Sequence, residues 1–197
     1  GHGDVFAIEW SVEGRRILID AGVCEYHPGY WRDLSRATAS HNTVMLDRED
    51  HAEFWGAFRV ANRPRVTVRS AACNSSEFII DAEHDGYRTK VGKPLVRRKI
   101  HAKPCRIEVE DQVIGGAGQS LEAALLLSPD VSVVRERTGS WLLKHGKGPA
   151  LRLETGSQVS VEKGIWMPDF GEQIQTQRLW MHHGKAPCAA SWSLDRV

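Results

Sequence analysis

Apolar and polar residues alternate with a period of two along most of the chain, the spacing that puts one face of a β-strand in a core and the other in water. Arg106-Ile107-Glu108-Val109-Glu110 is the cleanest instance. The pattern predicts strands over Val5–Val12 and Arg15–Asp20, joined by a tight turn at Glu13-Gly14. It continues over Thr43–Leu46, Phe54–Ala61, Arg65–Ala72, Glu77–Ala82, Tyr87–Val91, Leu95–Ala102 and Arg106–Val113. Beyond a break at Gly115-Gly116-Ala117-Gly118 come Leu121–Leu127, Val131–Arg135, Trp141–His145, Ala150–Glu154, Gln158–Glu162, Ile174–Met181 and Ala189–Leu194. Ala and Leu in Leu121–Leu127 favour helix, but its strand neighbours argue for a buried strand. Short strands with turn signals about every 8–12 residues predict an all-β fold, a stacked antiparallel β-sandwich. Residues 21–40, which hold Gly22, Pro28 and Gly29 and no clean period, read as a long functional loop with a helical turn near 31–36.

Composition narrows the classes. At 197 residues and 41% hydrophobic content the chain is long enough for one domain, 1–197, with a substantial core. Its 26 basic and 25 acidic side chains nearly cancel, so no global field points to nucleic acid. No apolar run approaches the ~20 residues of a membrane span. Cys24, Cys73, Cys105 and Cys188 form no CxxC pair and read as small, mostly buried residues. There is no GxGxxG, P-loop or GxSxG motif, which disfavours nucleotide enzymes and serine hydrolases. The chain opens on Gly1-His2, and we expect the C-terminal part of a longer protein.

Candidate chemistry gathers in residues 1–51. His2, Asp20 and His41 make a normal three-ligand set for zinc; they equally describe a surface histidine, a turn aspartate and a hydrogen-bonded histidine. Asp4 is either a partner holding the His2 imidazole or the cap of a strand entry. Tyr26, Tyr30, Trp31, Arg32 and Arg36 combine flat rings with cations, as an anionic sugar requires, or simply pack their loop on the sandwich. A tyrosine hydroxyl in such a loop also serves as a general acid or base. His84-Asp85-Gly86-Tyr87 carries a hairpin signal, which would project His84 and Tyr87 on one rim. Arg97-Arg98-Lys99 reads as a solvated strand face.

These residues resemble a known family. His2-x-Asp4-x-Phe6-x-x-Glu9-Trp10, the LIDAG at 18–22, Tyr26…Trp31-Arg32-Asp33…Arg36-x-Thr38 and His41-Asn42-Thr43-Val44 are similar to the heparinase II/III-like domain of bacterial polysaccharide lyases. Asp47, Glu53-Phe54-Trp55-Gly56, His84-Asp85-Gly86-Tyr87 and Trp166-x-Pro168-x-Phe170-Gly171 extend the resemblance over most of the chain. It implies the C-terminal sandwich of a larger lyase whose N-terminal partner is an α/α-toroid, with the cleft between them. It implies a structural zinc on His2, Asp20 and His41, and β-elimination next to a uronic acid in an anionic polysaccharide. Tyr26 would be the acid/base or sugar-contacting candidate. Tyr30, Trp31, Arg32, Arg36, Asn42, His84 and Tyr87 would contact substrate. Family members often carry a further histidine two residues before the motif histidine, a position that would precede Gly1, and their principal catalytic residues sit in the toroid. The isolated domain is therefore expected to have little or no lyase activity, and the protein to be periplasmic or secreted. The alternative is a non-catalytic carbohydrate-binding or interdomain scaffold.

Overall fold

Alternation becomes structure almost everywhere in the computed structural model, which describes residues 1–197. A ribbon of β1 (Trp10–Val12) and β2 (Arg15–Leu18) leads into a loop holding a helix, α1 (Tyr30–Arg36), and a 3-10 turn at Thr38–Ser40. β3 (Val44–Leu46) follows, then a hairpin of β4 (Glu53–Trp55) and β5 (Arg59–Ala61). Next come β6 (Val66–Cys73), β7 (Phe78–His84), β8 (Leu95–Lys103), β9 (Arg106–Ile114) and β10 (Ser120–Leu126). The chain ends with β11 (Val131–Arg137), β12 (Ser140–His145), β13 (Ala150–Thr155), β14 (Gln158–Trp166), β15 (Ile174–Lys185) and β16 (Cys188–Arg196).

Eight strands form one antiparallel sheet in the order β11-β12-β13-β16-β9-β8-β7-β6, and four form a second, β14-β15-β10-β3. A core of 27 buried residues joins Val96, Ile100, Val109, Leu151 and Leu194 of the large sheet to Val44, Leu121, Leu125, Leu179 and Met181 of the small one. β10 explains its continuous apolar run: Leu125 faces that core, while Leu126 turns the other way into a cluster with Ile19, Ala21, Cys24 and Met167. A strand buried on both faces loses the alternation of a half-wet one. The loop that holds the candidate chemistry therefore lies over the outer face of the small sheet.

Several expected elements come out differently. Only Trp10–Val12 of Val5–Val12 is strand; a turn at Val5-Phe6, where Phe6 holds φ of 60°, precedes it. Gly56, at φ of 54°, folds Phe54–Ala61 into a hairpin rather than one strand. Tyr87–Val91 is a pair of turns closed by the Arg88 amide on the Asp85 carbonyl and the Lys90 amide on the Tyr87 carbonyl. Arg98 is buried, not solvated. All four cysteines are free; Cys24 is buried, but Cys73, the last residue of β6, and Cys105, in the turn between β8 and β9, are exposed.

Candidate active-site face

Asp20 stands two residues past the end of β2, where the Ile19 amide bonds the Leu126 carbonyl of β10 at 3.0 Å. Its Oδ1 accepts the Gly22 amide at 3.0 Å and its Oδ2 lies 2.6 Å from His41 Nδ1. Gly22 holds φ of 75° with Met167 so close that any Cβ would collide with the Met167 carbonyl, which explains the Ala-Gly after the aspartate. Burial opposes ionisation of Asp20, but the His41 bond and charge, with the Gly22 amide, outweigh it and hold the carboxyl below its usual range. His41 follows the 3-10 turn, is 1% exposed, and has no protein partner for Nε2.

His2 completes the group, with its ring centre 5.5 Å from that of His41. Arg32 Nη1 donates to His2 Nε2 at 3.0 Å, so the His2 ring is neutral with its proton on Nδ1. Burial, then the His41 and Arg32 charges, push its pKa down to about 4. His2, Asp4, Glu9, Asp20 and His41 line a cavity of about 380 Å³. Two imidazoles and a carboxylate are donors that fit zinc, and the lone Nε2 of buried His41 lacks the partner such an atom normally has. As they stand the groups do not close into a coordination sphere, since His41 faces Asp20 and His2 faces Arg32.

The arginines of α1 face inward. Arg32 is 2% exposed; its Nε donates to the Ala57 carbonyl at 2.8 Å. Arg36, 1% exposed, donates to the carbonyls of Gly1, Gly56 and Arg59. Both guanidiniums thus fasten the β4–β5 hairpin and the N-terminal segment to the helix. Tyr26 is half exposed and Tyr30 70% exposed, while Trp31 packs against the Ile19–Met167 cluster. Asn42 is buried and braces three backbone groups: Nδ2 donates to the carbonyls of Ile8 and Ile19, and Oδ1 accepts the Leu126 amide at 2.6 Å.

His84 and Tyr87 do not project on a rim; each is 1% exposed. The Tyr87 hydroxyl donates to the Glu49 carbonyl and accepts the Leu46 amide, and burial raises its pKa. His84 Nδ1 accepts the Gly86 amide at 3.1 Å, and its ring lies 5.2 Å from that of His51. Burial is the first cause that lowers His51 to about 4 and His84 to about 3. Unfolded histidine binds its proton near pH 6.5. The unfolded state therefore gains protons first as pH falls, and stability present above about pH 6.5 is lost between there and about pH 4. Thermal melts should show a plateau near neutrality and a drop of several °C by about pH 5, partly removed in His51→Gln. A flat acid limb would show that these rings are not held neutral by the fold.

The sequence reading missed the group beneath this face. Arg98 of β8 and Asp111 of β9 form an ion pair with both side chains fully buried, Nε to Oδ1 at 2.6 Å and Nη2 to Oδ2 at 2.9 Å. Arg98 Nη1 also donates to the carbonyls of Phe6 and Asn42, at 3.1 and 3.0 Å. One core cation thus holds both the first motif and His-Asn-Thr.

No curated protein matches this chain. Among solved structures it resembles the heparan sulfate lyase HepC from Pedobacter heparinus, with a TM-score of 0.81 at 16% identity, covering 100% of this chain and 31% of that one. A heparinase III gene product matches at a TM-score of 0.81 and 17% identity over 100% of this chain and 30% of the other. A crystal structure of heparinase III matches at 0.77 and 17%, with the same two coverages of 100% and 30%. The chain thus spans about a third of the length of those proteins, and the likeness is one of fold. No helix is long and apolar enough to cross a membrane. The heparinase II/III-like C-terminal profile matches residues 1–193, and the chain belongs to that family, the C-terminal domain of heparinase II/III-like polysaccharide lyases.

Proposed function

We propose that this chain is the sandwich half of a lyase that cleaves a uronic-acid-containing polysaccharide by β-elimination, together with an α/α-toroid in a periplasmic or secreted protein. The observation that carries the reading is the exposed Tyr26 ring standing over Arg32, whose other side contacts His2 of the cavity shared with Asp20 and His41. In the elimination a base takes the C5 proton, that electron pair becomes the C4–C5 double bond, the C4–O4 bond breaks, and an acid protonates O4. Tyr26 is the acid/base candidate on this side, with Tyr30 and Trp31 contacting sugar. Arg32, Arg36, Asn42, His84 and Tyr87 serve the substrate through the groups they position, because their polar atoms face the protein.

His2, Asp20 and His41 would hold zinc, which when bound supplies a fixed positive charge tying the loop to the first hairpin. The lining supports a cation: Asp4, Glu9 and Asp20 are carboxylates, while the two imidazoles bring no competing charge when neutral. A uronate would be repelled by the same lining.

In the intact protein, Tyr26→Phe should lower release of unsaturated uronate from its polysaccharide by about 10²–10⁴-fold, with the melting temperature unchanged. A rate within a few-fold of the parent would remove Tyr26 from the chemistry. If the parent releases no unsaturated product from heparan sulfate, alginate or other uronate polymers, the lyase reading fails. A carbohydrate-binding or interdomain scaffold would then stand, a reading favoured by the engagement of both α1 guanidiniums with backbone carbonyls.

A further inference from the structure

A serine, a histidine and a glutamate from three neighbouring strands stand in line on the outer face of the small sheet. Ser160 of β14 has its Oγ 3.1 Å from His182 Nε2, and His182 of β15 has its Nδ1 2.7 Å from Glu122 Oε1 of β10. A carboxylate only accepts hydrogen bonds, so the neutral His182 ring keeps its proton on Nδ1. Nε2 is left with a lone pair aimed at the Ser160 hydroxyl. This is the arrangement of a nucleophile, a general base and the group that fixes the tautomer of the base. Such a relay is recognised by geometry, so the lack of a GxSxG elbow in the sequence does not bear on it. The set is within reach of solvent: the His182 side chain is 32% exposed and Ser160 is half-buried, whereas Glu122 behind them is 13% exposed.

Two irregularities serve these groups. The ladder between β10 and β15 slips between Leu121 and Glu122, so that Leu121 opposes Gly184 while Glu122 opposes His182. The extra residue, His183, turns into the core beside Asp111, and His182 stays outside, directly across from Glu122. Bulges re-aim side chains in this way next to active sites. The second irregularity is Arg48, which sits in the turn closed by Leu46 and Glu49 with φ of 55°, a strained conformation for a residue with a side chain. From there its guanidinium lies over the Trp180 ring at 4.2 Å. Its Nε donates to Glu122 Oε2 at 2.6 Å and its Nη2 to Glu162 Oε1 at 3.2 Å. Trp180 is the cross-strand partner of Ser160, so Arg48 brings a fixed positive charge beside the serine.

We propose that Ser160, His182 and Glu122 form a catalytic site of their own, which hydrolyses the ester of a small acyl group, acetyl in size, on a polar alcohol. Ser160 Oγ bonds to the carbonyl carbon as its proton passes to His182 Nε2, and Arg48 meets the charge that develops on the carbonyl oxygen. The bond from that carbon to the alcohol oxygen then breaks, and the alcohol leaves with the proton from His182. Water next gives a proton to His182 and attacks the acyl-serine; the acid departs and Ser160 regains its proton. Glu122 acts through His182 and is a positioning residue. The acyl group is small because Arg48 caps the buried Trp180 ring and leaves no apolar slot. The alcohol is polar because Gln158 and Glu162 flank Ser160 on the same face of β14. The proposal uses none of His2, Asp20 and His41 and does not rest on the lyase reading.

The test treats the intact protein with a fluorophosphonate, which labels activated serines, and with 4-nitrophenyl acetate. Mass spectrometry should find an adduct on Ser160 that is absent from Ser160→Ala and from His182→Gln. Ester hydrolysis should fall at least about a hundredfold in both variants, and Ser160→Ala, which removes one oxygen, should melt at the parent temperature. Glu122→Gln should lower kcat with KM unchanged, since an amide can hold the wrong tautomer, and Glu122→Asp should restore part of the loss. No adduct on Ser160, or one that survives His182→Gln, would overturn the proposal. Equal hydrolysis by the parent and Ser160→Ala would overturn it as well, because other surface nucleophiles would then account for the rate.

Discussion

Replacing Asp111 with alanine is expected to remove a large part of the domain's stability. The Arg98–Asp111 pair sits between the sheets with neither side chain reaching solvent. Removing the carboxylate strands a guanidinium in the core, a change that costs about 3–5 kcal/mol where it has been measured, against a total stability of about 5–15 kcal/mol. His183, whose side chain is buried, adds to the effect, since its Nε2 is 3.7 Å from Asp111 Oδ2 and its Nδ1 is held by Ser157. Chemical denaturation reads the loss directly. The double variant R98M/D111L should recover most of it, because exchanging a buried pair for apolar volume is close to neutral. It would still lack the Arg98 bonds to the Phe6 and Asn42 carbonyls. Full recovery of stability with a loosened candidate-site face would therefore separate the two roles of Arg98. A single Asp111→Ala variant as stable as the parent would show that the pair is not buried in solution.

The second large effect concerns zinc. The parent should purify with about one zinc per chain, as expected of a three-ligand site, and His41→Ala with almost none by inductively coupled plasma mass spectrometry. Adding zinc at a hundred times its dissociation constant stabilises a folded protein by about 2.7 kcal/mol. For a chain of this size that is a rise of roughly 5–10 °C in melting temperature, absent in the variant. A chelator should reverse it. A parent whose melting temperature ignores both zinc and chelator would leave His41 and Asp20 as a hydrogen-bonded pair and nothing more.

Much of this was legible from residues alone because the fold is an alternation and the motifs lie on it. His2, Asp20 and His41, scattered over forty positions, do come into one neighbourhood, since Asp20 ends a ribbon and His41 follows the loop that returns over it. The helical turn near 31–36 became α1. What the alternation concealed were charges on its apolar phase. Arg98 lies between Val96 and Ile100, and Asp111 between Val109 and Val113, each in register with inward-facing residues. Read as a basic triplet, Arg97-Arg98-Lys99 looked wet; read by phase, its middle member points to the core and finds its partner directly across, Arg98 opposite Asp111. His84 and Tyr87 misled for another reason. The Asp-Gly signal marks a turn but says nothing of whether other segments cover it, and here His51 and the residues around Glu49 do.

The double burial of β10 also sets how the loop of the candidate site moves. Surface loops usually open by themselves, at a small fraction of the free energy needed to unfold the whole domain. This one is tied through Ile19 and Asn42 to Leu126, on a strand with core on both sides. Detaching it exposes Leu126 and its neighbours, so residues 19–22 and 41–43 belong to the same cooperative unit as the centre of the sandwich. The rim at Tyr30 lies outside that unit and is free to adjust on the faster timescale of exposed side chains.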